Sequence, residues 1–306
     1  RHYIASPLAP GVLDGIARDA RVLVIGTGLT FADVAISLHR NGHRGPIQAI
    51  SRHGLAPRPH ALHPAPPVTL PPHLQRAFDE GDLHRVLRGL REVSRVVDDW
   101  RRLIDALRPG NQRFWQRMDL RQRTRFLRHL RPYWEVHRHR MAPQLMDELN
   151  AMRASGQLGL HASRLMHAQL SGAHVEAVLR DRGATATRNA SVDVVIRATG
   201  LETDVHRTRH ALIVHLREAG LICADPFGLG LATADDDTVL DRQRCPVPGL
   251  YAIGPLQRGK LWEIIAIPEL RRAVVALAAT LTSPGRAGVQ AGADAPEGVL
   301  AQRLSC

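Results

Sequence analysis

Two glycines near the start of the sequence stand in a pattern that could bind phosphate. Gly26 and Gly28 follow the aliphatic residues 22–25, and a helical pattern of apolar residues begins after them. Gly26 suits a tight turn, and Gly28 would let the backbone approach a pyrophosphate because glycine has no Cβ atom. The free amides and the positive dipole end of the following helix would stabilise negative charge. The predicted dinucleotide contacts in this turn are Gly26, Thr27, Gly28, Leu29 and Thr30.

This glycine motif is incomplete. Phe31 occupies the position where G-x-G-x-x-G has its third glycine, and Ala32 is the nearest small residue. A short apolar strand, a glycine turn and a helix also occur together in α/β proteins that bind no nucleotide. The motif therefore leaves two interpretations open, a phosphate site or a purely structural turn.

The surrounding residues predict the elements that would position the turn. Residues 22–25 are typical of a strand buried on both faces, and Ala32 and Ala35 begin an apolar helical spacing. A second apolar run, residues 46–51, completes a β-α-β unit of about thirty residues. The sequence thus predicts an α/β fold of the Rossmann-like type.

The second predicted strand ends at a basic residue instead of an acidic one. An acid there would bind the ribose 2′-hydroxyl of NAD, whereas Arg52 can form charge-assisted bonds with the 2′-phosphate of NADP. Ser51, Arg52 and His53 therefore favour NADP(H) as the ligand. The alternative is that Arg52 is one of many solvated surface arginines.

The composition argues against several other classes of protein. The 306 residues carry a net charge of +12, yet Lys260 is the only lysine and aromatic residues make up 4%. A nucleic-acid surface usually combines lysine and arginine with interleaved aromatics, so specific nucleic-acid binding is not expected. No apolar run has membrane-spanning length, and three cysteines without a C-x-x-C pair predict neither a disulfide framework nor a zinc site. These features favour a reducing, cytoplasmic location and no bound metal.

The pattern of the chain changes after the first β-α-β unit. Residues 61–150 carry apolar residues at helical spacing with arginines between them, which predicts a helical insertion. Residues 125–140 are its densest basic and aromatic cluster, and they form either a solvated helix face or a wall of an anion-binding cleft. Short strand patterns at 158–161, 173–180 and 184–188 then predict a β-meander.

Two later segments repeat the order of strand and small residues. A buried strand over residues 192–198 ends at Thr199 and Gly200, which suits a chain that crosses close to a nucleotide. A simple strand-ending turn explains these two residues equally well. Residues 249–263 again show a strand, a glycine and a helix start, and an apolar helix is expected over about residues 264–281.

Together these landmarks resemble a known class of flavoprotein. Residues 22–33, 51–60, 128–143, 193–200 and 249–271 resemble the YdhS-like FAD/NAD(P)-binding proteins, a bacterial family similar in organisation to the flavin-dependent N-hydroxylating monooxygenases. The resemblance implies a fold with two dinucleotide-binding domains, in which the Gly26 motif holds NADP(H). It also implies a late segment that returns to the FAD domain and begins a helix near the flavin. The residues of that segment are Gly254, Pro255, Leu256, Gly259, Trp262 and Glu263.

The resemblance implies a division of the chain as well. Residues 1–20 would be a linker from an amino-terminal FAD-binding half that is missing from this sequence. Residues 21–60 and 151–204 would form the NADP-binding domain, and residues 205–282 the return segment to the FAD domain. The Gly-, Ala- and Pro-rich residues 283–306 are predicted to be a disordered tail.

The activity implied by the resemblance is that of an FAD-dependent NADP(H) oxidoreductase. Hydride would pass from NADPH to the flavin and then to oxygen or another acceptor, with a small molecule or oxygen as substrate. No catalytic side chain is predicted, because the cofactors carry this chemistry. Glu263 would serve the flavin or substrate, or else it is an acid that stabilises a helix N-terminus. The alternative functions are an NADP-binding module or sensor without catalysis, and a basic polyanion-binding protein.

Overall fold

The computed structural model describes residues 2–282, which divide into two compact units. Within those limits, unit 1 consists of Arg1–Leu74, Val86–Arg108 and Arg125–Leu201, and unit 2 of Gln75–Arg85, Pro109–Thr124 and Glu202–Cys306. The predicted helical insertion over residues 61–150 is therefore shared between the two units instead of forming a module of its own. The predicted tail, residues 283–306, lies outside the described residues.

Unit 1 is built on a mixed sheet. In chain order its strands are β1 (Tyr3–Ile4), β2 (Val22–Ile25), β3 (Ile47–Ser51), β4 (Leu158–Ser171), β5 (His174–Asp181), β6 (Arg188–Val192) and β7 (Val194–Arg197). Within the described chain these seven strands are ordered β1-β7-β2-β3-β4-β5-β6. The pairs from β1 as far as β4 are parallel, and β5 pairs antiparallel with both β4 and β6. The prediction of a Rossmann-like α/β fold is confirmed.

The first β-α-β unit has the predicted form. Helix α1 (Leu29–Arg40) joins β2 to the parallel strand β3, and Val24 lies opposite Ala49 in the register. The chain moves from β2 to β3 on one side, whereas β7 pairs with β2 on the other side. This arrangement makes the carboxyl end of β2 a topological switch point, the place where open α/β sheets bind ligands.

The remaining helices are shorter than the continuous pattern suggests. They are α2 (Pro72–Glu80), α3 (Leu83–Val93), α4 (Trp100–Leu107), α5 (Asn111–Arg117), α6 (Leu120–Arg125), α7 (Arg131–Arg138), α8 (Pro143–Ala154), α9 (Ala211–Glu218) and α10 (Ile267–Thr282). A 3₁₀ turn at Arg108–Gly110 precedes α5, and a π-helical turn at Phe126–Leu130 precedes α7. Gly81, with a φ of +76°, lies in the turn that separates α2 from α3. None of the helices within residues 2–282 is long and apolar enough to cross a bilayer.

Two apolar layers cover the sheet of unit 1. On one face, residues of β2, β3 and β7 pack with the buried sides of α1 and α8. On the other face, Leu23, Ile50 and Val195 pack with Val175 and Leu179 of β5. The antiparallel strands therefore act as the cover of the second face, and the parallel strands are buried on both sides, as their unbroken apolar runs predict.

Unit 2 has a small core of its own. Strands β8 (Thr238–Leu240) and β9 (Pro246–Tyr251) pair antiparallel. Val205, Ile222, Leu231, Val239 and Ala252 form the buried cluster beside them. The sequence did not predict β8 or α9, because elements of three and eight residues are too short for a clear periodic pattern.

Two segments of unit 1 differ from their predicted structure. Within residues 1–20, predicted as a linker, Tyr3–Ile4 forms an edge strand, Ile4 is buried, and Val12 and Leu13 pack on the core. The third strand of the meander, predicted at 184–188, lies instead at Arg188–Val192. The amide of Ala184 closes a turn onto the carbonyl of Asp181, so the strand cannot begin until after this turn.

Candidate functional site

Gly26 is required by the packing of the protein itself. It has a φ of +112°, and a Cβ atom at this position would lie 2.2 Å from the carbonyl oxygen of Ala198. Its amide donates to the carbonyl of Ile50 at 2.8 Å, and the amide of Ala198 donates to Ile25 at 2.8 Å. Gly26 therefore lets the chain turn tightly between β3 and the end of β7, as the sequence predicts.

Gly28 differs from Gly26, because nothing in the described protein requires it to be glycine. It is the N-cap residue of α1, with a φ of −83° that any residue adopts. A Cβ atom built on Gly28 would have no protein atom within 4 Å. The space beside the backbone is open, which is the condition for close approach by a ligand.

The amides at the start of α1 are available to such a ligand. No group in residues 2–282 accepts a hydrogen bond from the amides of Gly28, Leu29 or Thr30. The first turn of α1 contains no acidic residue that would compete with an anion. Gly28 and Leu29 are exposed and Thr30 is half-buried, so this helix start combines free donors with a positive dipole end.

The hydroxyls of Thr27 and Ser51 point into the protein, behind the glycine turn. Thr27 is 5% exposed, and its Oγ1 is 2.8 Å from Oγ of Ser51 and 2.5 Å from the carbonyl oxygen of Leu55. The amide of Gly54 donates to Oγ of Ser51 at 3.0 Å. These two hydroxyls, predicted as direct cofactor contacts, are thus engaged in bonds within the protein.

Three arginines lie near His53 just beyond the end of β3. Burial, followed by the charges of Arg182, Arg52 and Arg164, lowers the pKa of the His53 imidazole. All three arginines are exposed, and none has a carboxylate partner among the described residues. The neighbouring carboxylate, that of Asp181, is bound by Ser163 and Arg188. The result is a concentration of unneutralised positive charge beside Arg52.

Two of these arginines could not be found from the sequence. Arg164 belongs to β4, which runs on beyond the end of β3 after Ala162 pairs with Ser51. Arg182 follows β5 and donates its amide to the carbonyl of Ala162 at 2.7 Å. Only the pairing of β3 with β4 and of β4 with β5 brings them near Arg52, and that register is a long-range property.

Thr199 and Gly200 follow β7 on the other side of the turn. Both are exposed, Gly200 has a φ of +81°, and a Cβ atom there would meet nothing within 4 Å. The backbone amide of Thr199 is 3.1 Å from the position of a Cβ on Gly26. The end of β7 therefore lies directly beside the glycine turn, which leaves both predicted interpretations of Thr199 and Gly200 in place.

The late glycine segment belongs to unit 2 and does not begin a helix. After Gly254 and Pro255 the chain forms consecutive turns, and α10 starts only at Ile267. The side chain of Gln257 donates to Asp237 at 2.8 Å, and the ammonium of Lys260 lies 2.7 Å from the same carboxylate. These anchors hold residues 254–263 as turns, and the apolar helix expected over about residues 264–281 is present as α10.

Three predicted cofactor residues of this segment are packed by other residues of unit 2. The ring of Trp262 stacks on that of Trp115 at 4.8 Å, and the Trp115 indole donates to the carbonyl of Gly259 at 2.8 Å. A Cβ on Gly259 would lie 2.5 Å from the carboxyl carbon of Asp225. Glu263 is 2% exposed and accepts a bond from Asn111 at 3.3 Å.

Glu263 is also not a helix-terminal acid. It precedes α10 by four residues, and Glu269 occupies the first turn of that helix. The alternative that the sequence left open for Glu263 is therefore wrong. Pro255 and Leu256 are half-buried, and Gly254, with a φ of +100°, has no atom within 4 Å of a built Cβ. Contacts of this segment with FAD remain a prediction.

Three basic side chains of residues 125–140 pair with acids, Arg131 and His139 with Glu135 and Arg140 with Asp105. The Arg140 side chain is 7% exposed and forms an ion pair with Asp105. The guanidinium of Arg140 also lies 5.8 Å from the centre of the Trp100 ring, and His137 meets that ring edge-on at 4.8 Å. The Arg140 side chain is therefore neither solvated nor free to bind an anion. Among residues 2–282 no three His, Cys, Asp or Glu side chains are grouped to hold a metal ion.

No protein-family model and no curated protein matches this chain. Solved structures do match it. L-lysine 6-monooxygenase from Pseudomonas syringae superposes with a TM-score of 0.50 at 17% sequence identity, over 87% of this chain and 55% of that one. The chain shares the fold of this enzyme.

Two further solved structures are similar at lower scores. Ornithine hydroxylase from Pseudomonas aeruginosa is 16% identical, with a TM-score of 0.49 over 88% of this chain and 53% of that one. Ornithine N-hydroxylase from Kutzneria sp. 744, solved with reduced FAD, NADP⁺ and L-ornithine, is 14% identical, with a TM-score of 0.47 over 86% of this chain and 54% of that one. The chain thus spans about half the length of these proteins. The narrower resemblance to the YdhS-like family stays a prediction.

Proposed function

We propose that unit 1 binds NADP(H) at the carboxyl end of β2. The pyrophosphate would lie on the amides at the start of α1, and the adenosine 2′-phosphate would lie at the cluster of arginines beyond β3. The residues assigned to the pyrophosphate are Gly28, Leu29 and Thr30, and those assigned to the 2′-phosphate are Arg52, Arg164 and Arg182.

The observation that carries this proposal is the open position of Gly28. Neither its φ nor its protein neighbours require a glycine, so the fold alone gives no reason for one. A side chain at this position would instead occupy the space next to three free amides. That space fits a phosphate, whose oxygens accept hydrogen bonds from backbone amides at a helix start.

The unneutralised arginines favour NADP(H) over NAD(H). A phosphate monoester carries close to two negative charges at neutral pH, and guanidinium groups bind it through charge-assisted hydrogen bonds. Arg52, Arg164 and Arg182 have no carboxylate partner among the described residues, so they need not break an ion pair to bind it. A ribose hydroxyl in NAD(H) would gain far less from the same charges.

The wider function proposed for the protein is that of an FAD-dependent NADP(H) oxidoreductase. The fold that the chain shares with L-lysine 6-monooxygenase supports this class. NADPH would supply a hydride to the flavin, and oxygen or another small molecule would be the final acceptor. The residues of unit 1 would bind and orient the dinucleotide. A reducing, cytoplasmic location is proposed with it, because Cys223 and Cys245 are free thiols.

An NADP-binding module without catalysis is the second candidate. It is favoured by one observation, that Gly259, Trp262 and Glu263 are packed against Asp225, Trp115 and Asn111. Addition of FAD distinguishes the two candidates. With an amino-terminal FAD-binding half joined to the chain, an oxidoreductase retains FAD and loses the flavin absorbance when NADPH is added without oxygen, whereas a binding module takes up NADPH alone.

The test of the dinucleotide site is a titration of the full chain with NADPH and with NADH by isothermal titration calorimetry. Gly28→Val should weaken both by about 100-fold, the loss of roughly 3 kcal/mol in backbone hydrogen bonds to phosphate. Gly15→Val is the matched control, because Gly15 also lacks neighbours within 4 Å and a positive φ. If Gly28→Val binds NADPH as tightly as Gly15→Val does, the site is not at this turn.

A further inference from the structure

Two hydroxyls beneath the glycine turn connect it to the segment that carries Arg52. Oγ1 of Thr27 lies 2.8 Å from Oγ of Ser51 and 2.5 Å from the carbonyl oxygen of Leu55. Ser51 Oγ also accepts the amide of Gly54 at 3.0 Å. The contacts therefore run between residue 27 of the turn and residues 51, 54 and 55 at the end of β3.

The donors in this set can be assigned from their chemistry. The carbonyl of Leu55 can only accept, so the single proton of the Thr27 hydroxyl must point to it. Thr27 then offers Ser51 only a lone pair, and Ser51 must donate to Thr27 while it accepts from Gly54. The bonds form one directed chain, from the Gly54 amide through Ser51 and Thr27 to the Leu55 carbonyl. Every group in this chain uses its donor or acceptor once without conflict.

The same segment is fixed on its other side by β4. Gly54 has a φ of +62°, and a Cβ atom there would lie 2.8 Å from the backbone nitrogen of Ala162. Ala162 accepts the amide of Arg182 at 2.7 Å, and Arg164 follows two residues later on β4. The loop holding Arg52 and His53 is thus bound to the glycine turn by hydroxyls and to β4 by close packing.

We propose that Thr27 and Ser51 are positioning residues, whose hydroxyl chain fixes Arg52 relative to the Gly28 turn and so sets the preference for a dinucleotide with a 2′-phosphate. The inference rests on the proposed NADP(H) site and adds to it the residues that determine its selectivity. The turn and the arginine would bind opposite ends of one ligand segment, the adenosine with its pyrophosphate. A shift of the loop by an ångström would therefore separate the 2′-phosphate from Arg52 without affecting the pyrophosphate.

The experiment compares selectivity, defined as the Kd for NADH divided by the Kd for NADPH, in the full chain. Thr27→Val keeps the shape of the side chain and removes the hydroxyl. Selectivity should therefore fall about tenfold, mainly because the Kd for NADPH rises. Thr27→Ser restores the hydroxyl and should keep selectivity within about twofold of the wild type. Ser51→Ala is a second interruption of the same chain and should lower selectivity in the same way.

Ser155→Ala provides the matched control. Its hydroxyl also donates to a backbone carbonyl, that of Met152 at 3.0 Å, but it lies before β4, at the amino end of the parallel strands. This variant also loses a hydrogen bond from a hydroxyl to a carbonyl, and it should keep the selectivity of the wild type. If Thr27→Val folds poorly, Ser51→Ala and Thr27→Ser still decide the question, because their readout is a ratio of two affinities in one protein.

The outcomes separate this inference from the proposed function. A wild-type chain that binds NADPH and NADH equally removes the 2′-phosphate contact, and the inference falls with it. A wild-type chain that prefers NADPH, together with Thr27→Val and Ser51→Ala variants that keep this preference, overturns only the positioning role. A selectivity loss in Ser155→Ala as large as that in Thr27→Val would also overturn it.

Discussion

Replacement of Arg52 by alanine should weaken NADPH binding about tenfold and leave NADH binding unchanged. A hydrogen bond between charged groups contributes about 1.5 to 3 kcal/mol, and the exposure of Arg52 places its contribution near the lower value. A difference of about 1.4 kcal/mol is tenfold in affinity. Arg164 and Arg182 remain in this variant, so part of the attraction for the 2′-phosphate persists.

Calorimetric titrations with NADPH and NADH, at low and at physiological salt, measure this effect. The advantage of NADPH in the wild type should shrink as salt rises, because the arginines are exposed and their charges are screened. Arg44→Ala is the control, since Arg44 is also exposed but lies between α1 and β3, at the opposite end of the strands. Equal losses for NADPH and NADH in Arg52→Ala would refute the 2′-phosphate contact.

Three other predictions concern the scaffold of unit 1. Gly26→Ala should lower the free energy of unfolding, measured in urea, by at least about 2 kcal/mol, because the added Cβ would overlap the carbonyl of Ala198. Gly28→Ala should change the free energy of unfolding by less than about 0.5 kcal/mol. Asp193→Asn should destabilise by about 1 to 2 kcal/mol, since the carboxylate accepts the Arg21 amide at 2.7 Å and its guanidinium at 2.8 Å; an unchanged denaturation midpoint would contradict this. Burial lowers the pKa of His43 below 6.5, so the unfolded chain binds a proton more readily and stability should fall as the pH drops through 6.5. Thermal unfolding at several pH values should show a smaller fall in His43→Gln.

The parts of the site that depend on neighbouring residues could be predicted from the sequence. The glycine turn between β2 and α1 follows from an apolar run, two glycines and a helical spacing, all within about fifteen residues. The end of β3 at Ser51 follows from a similar local pattern, and it places Arg52 correctly. In each case the signal and the structure that it specifies lie in the same short segment.

The parts that depend on long-range pairing could not be predicted. Arg164 and Arg182 reach Arg52 through strand pairings that no local pattern encodes. Glu263 was predicted as a cofactor residue or a helix cap, but its partner, Asn111, lies 152 residues away in the chain. The turns after Gly254 depend on the bond of Gln257 to Asp237, which lies 20 residues away in the chain.

The functions of Thr27 and Ser51 show a third kind of limit. Their types and positions predict a phosphate site, and the structure places them 2.8 Å apart at the turn before α1. The direction of their hydroxyls depends on Leu55 and Gly54, which the sequence pattern does not single out. A residue can therefore be recognised as part of a site while its role, contact or support, needs the geometry.

The proposed dinucleotide site lies on the backbone at the start of α1. Two-dimensional ¹H–¹⁵N NMR of the full chain, with NADPH added stepwise, tests this directly because it reports each amide. The amides of Gly28, Leu29 and Thr30 should shift in saturable fashion with both NADPH and NADH, and the guanidinium signal of Arg52 should shift with NADPH only. Amides at this turn that stay unchanged at saturating NADPH, while others in the chain shift, would show that NADPH binds elsewhere.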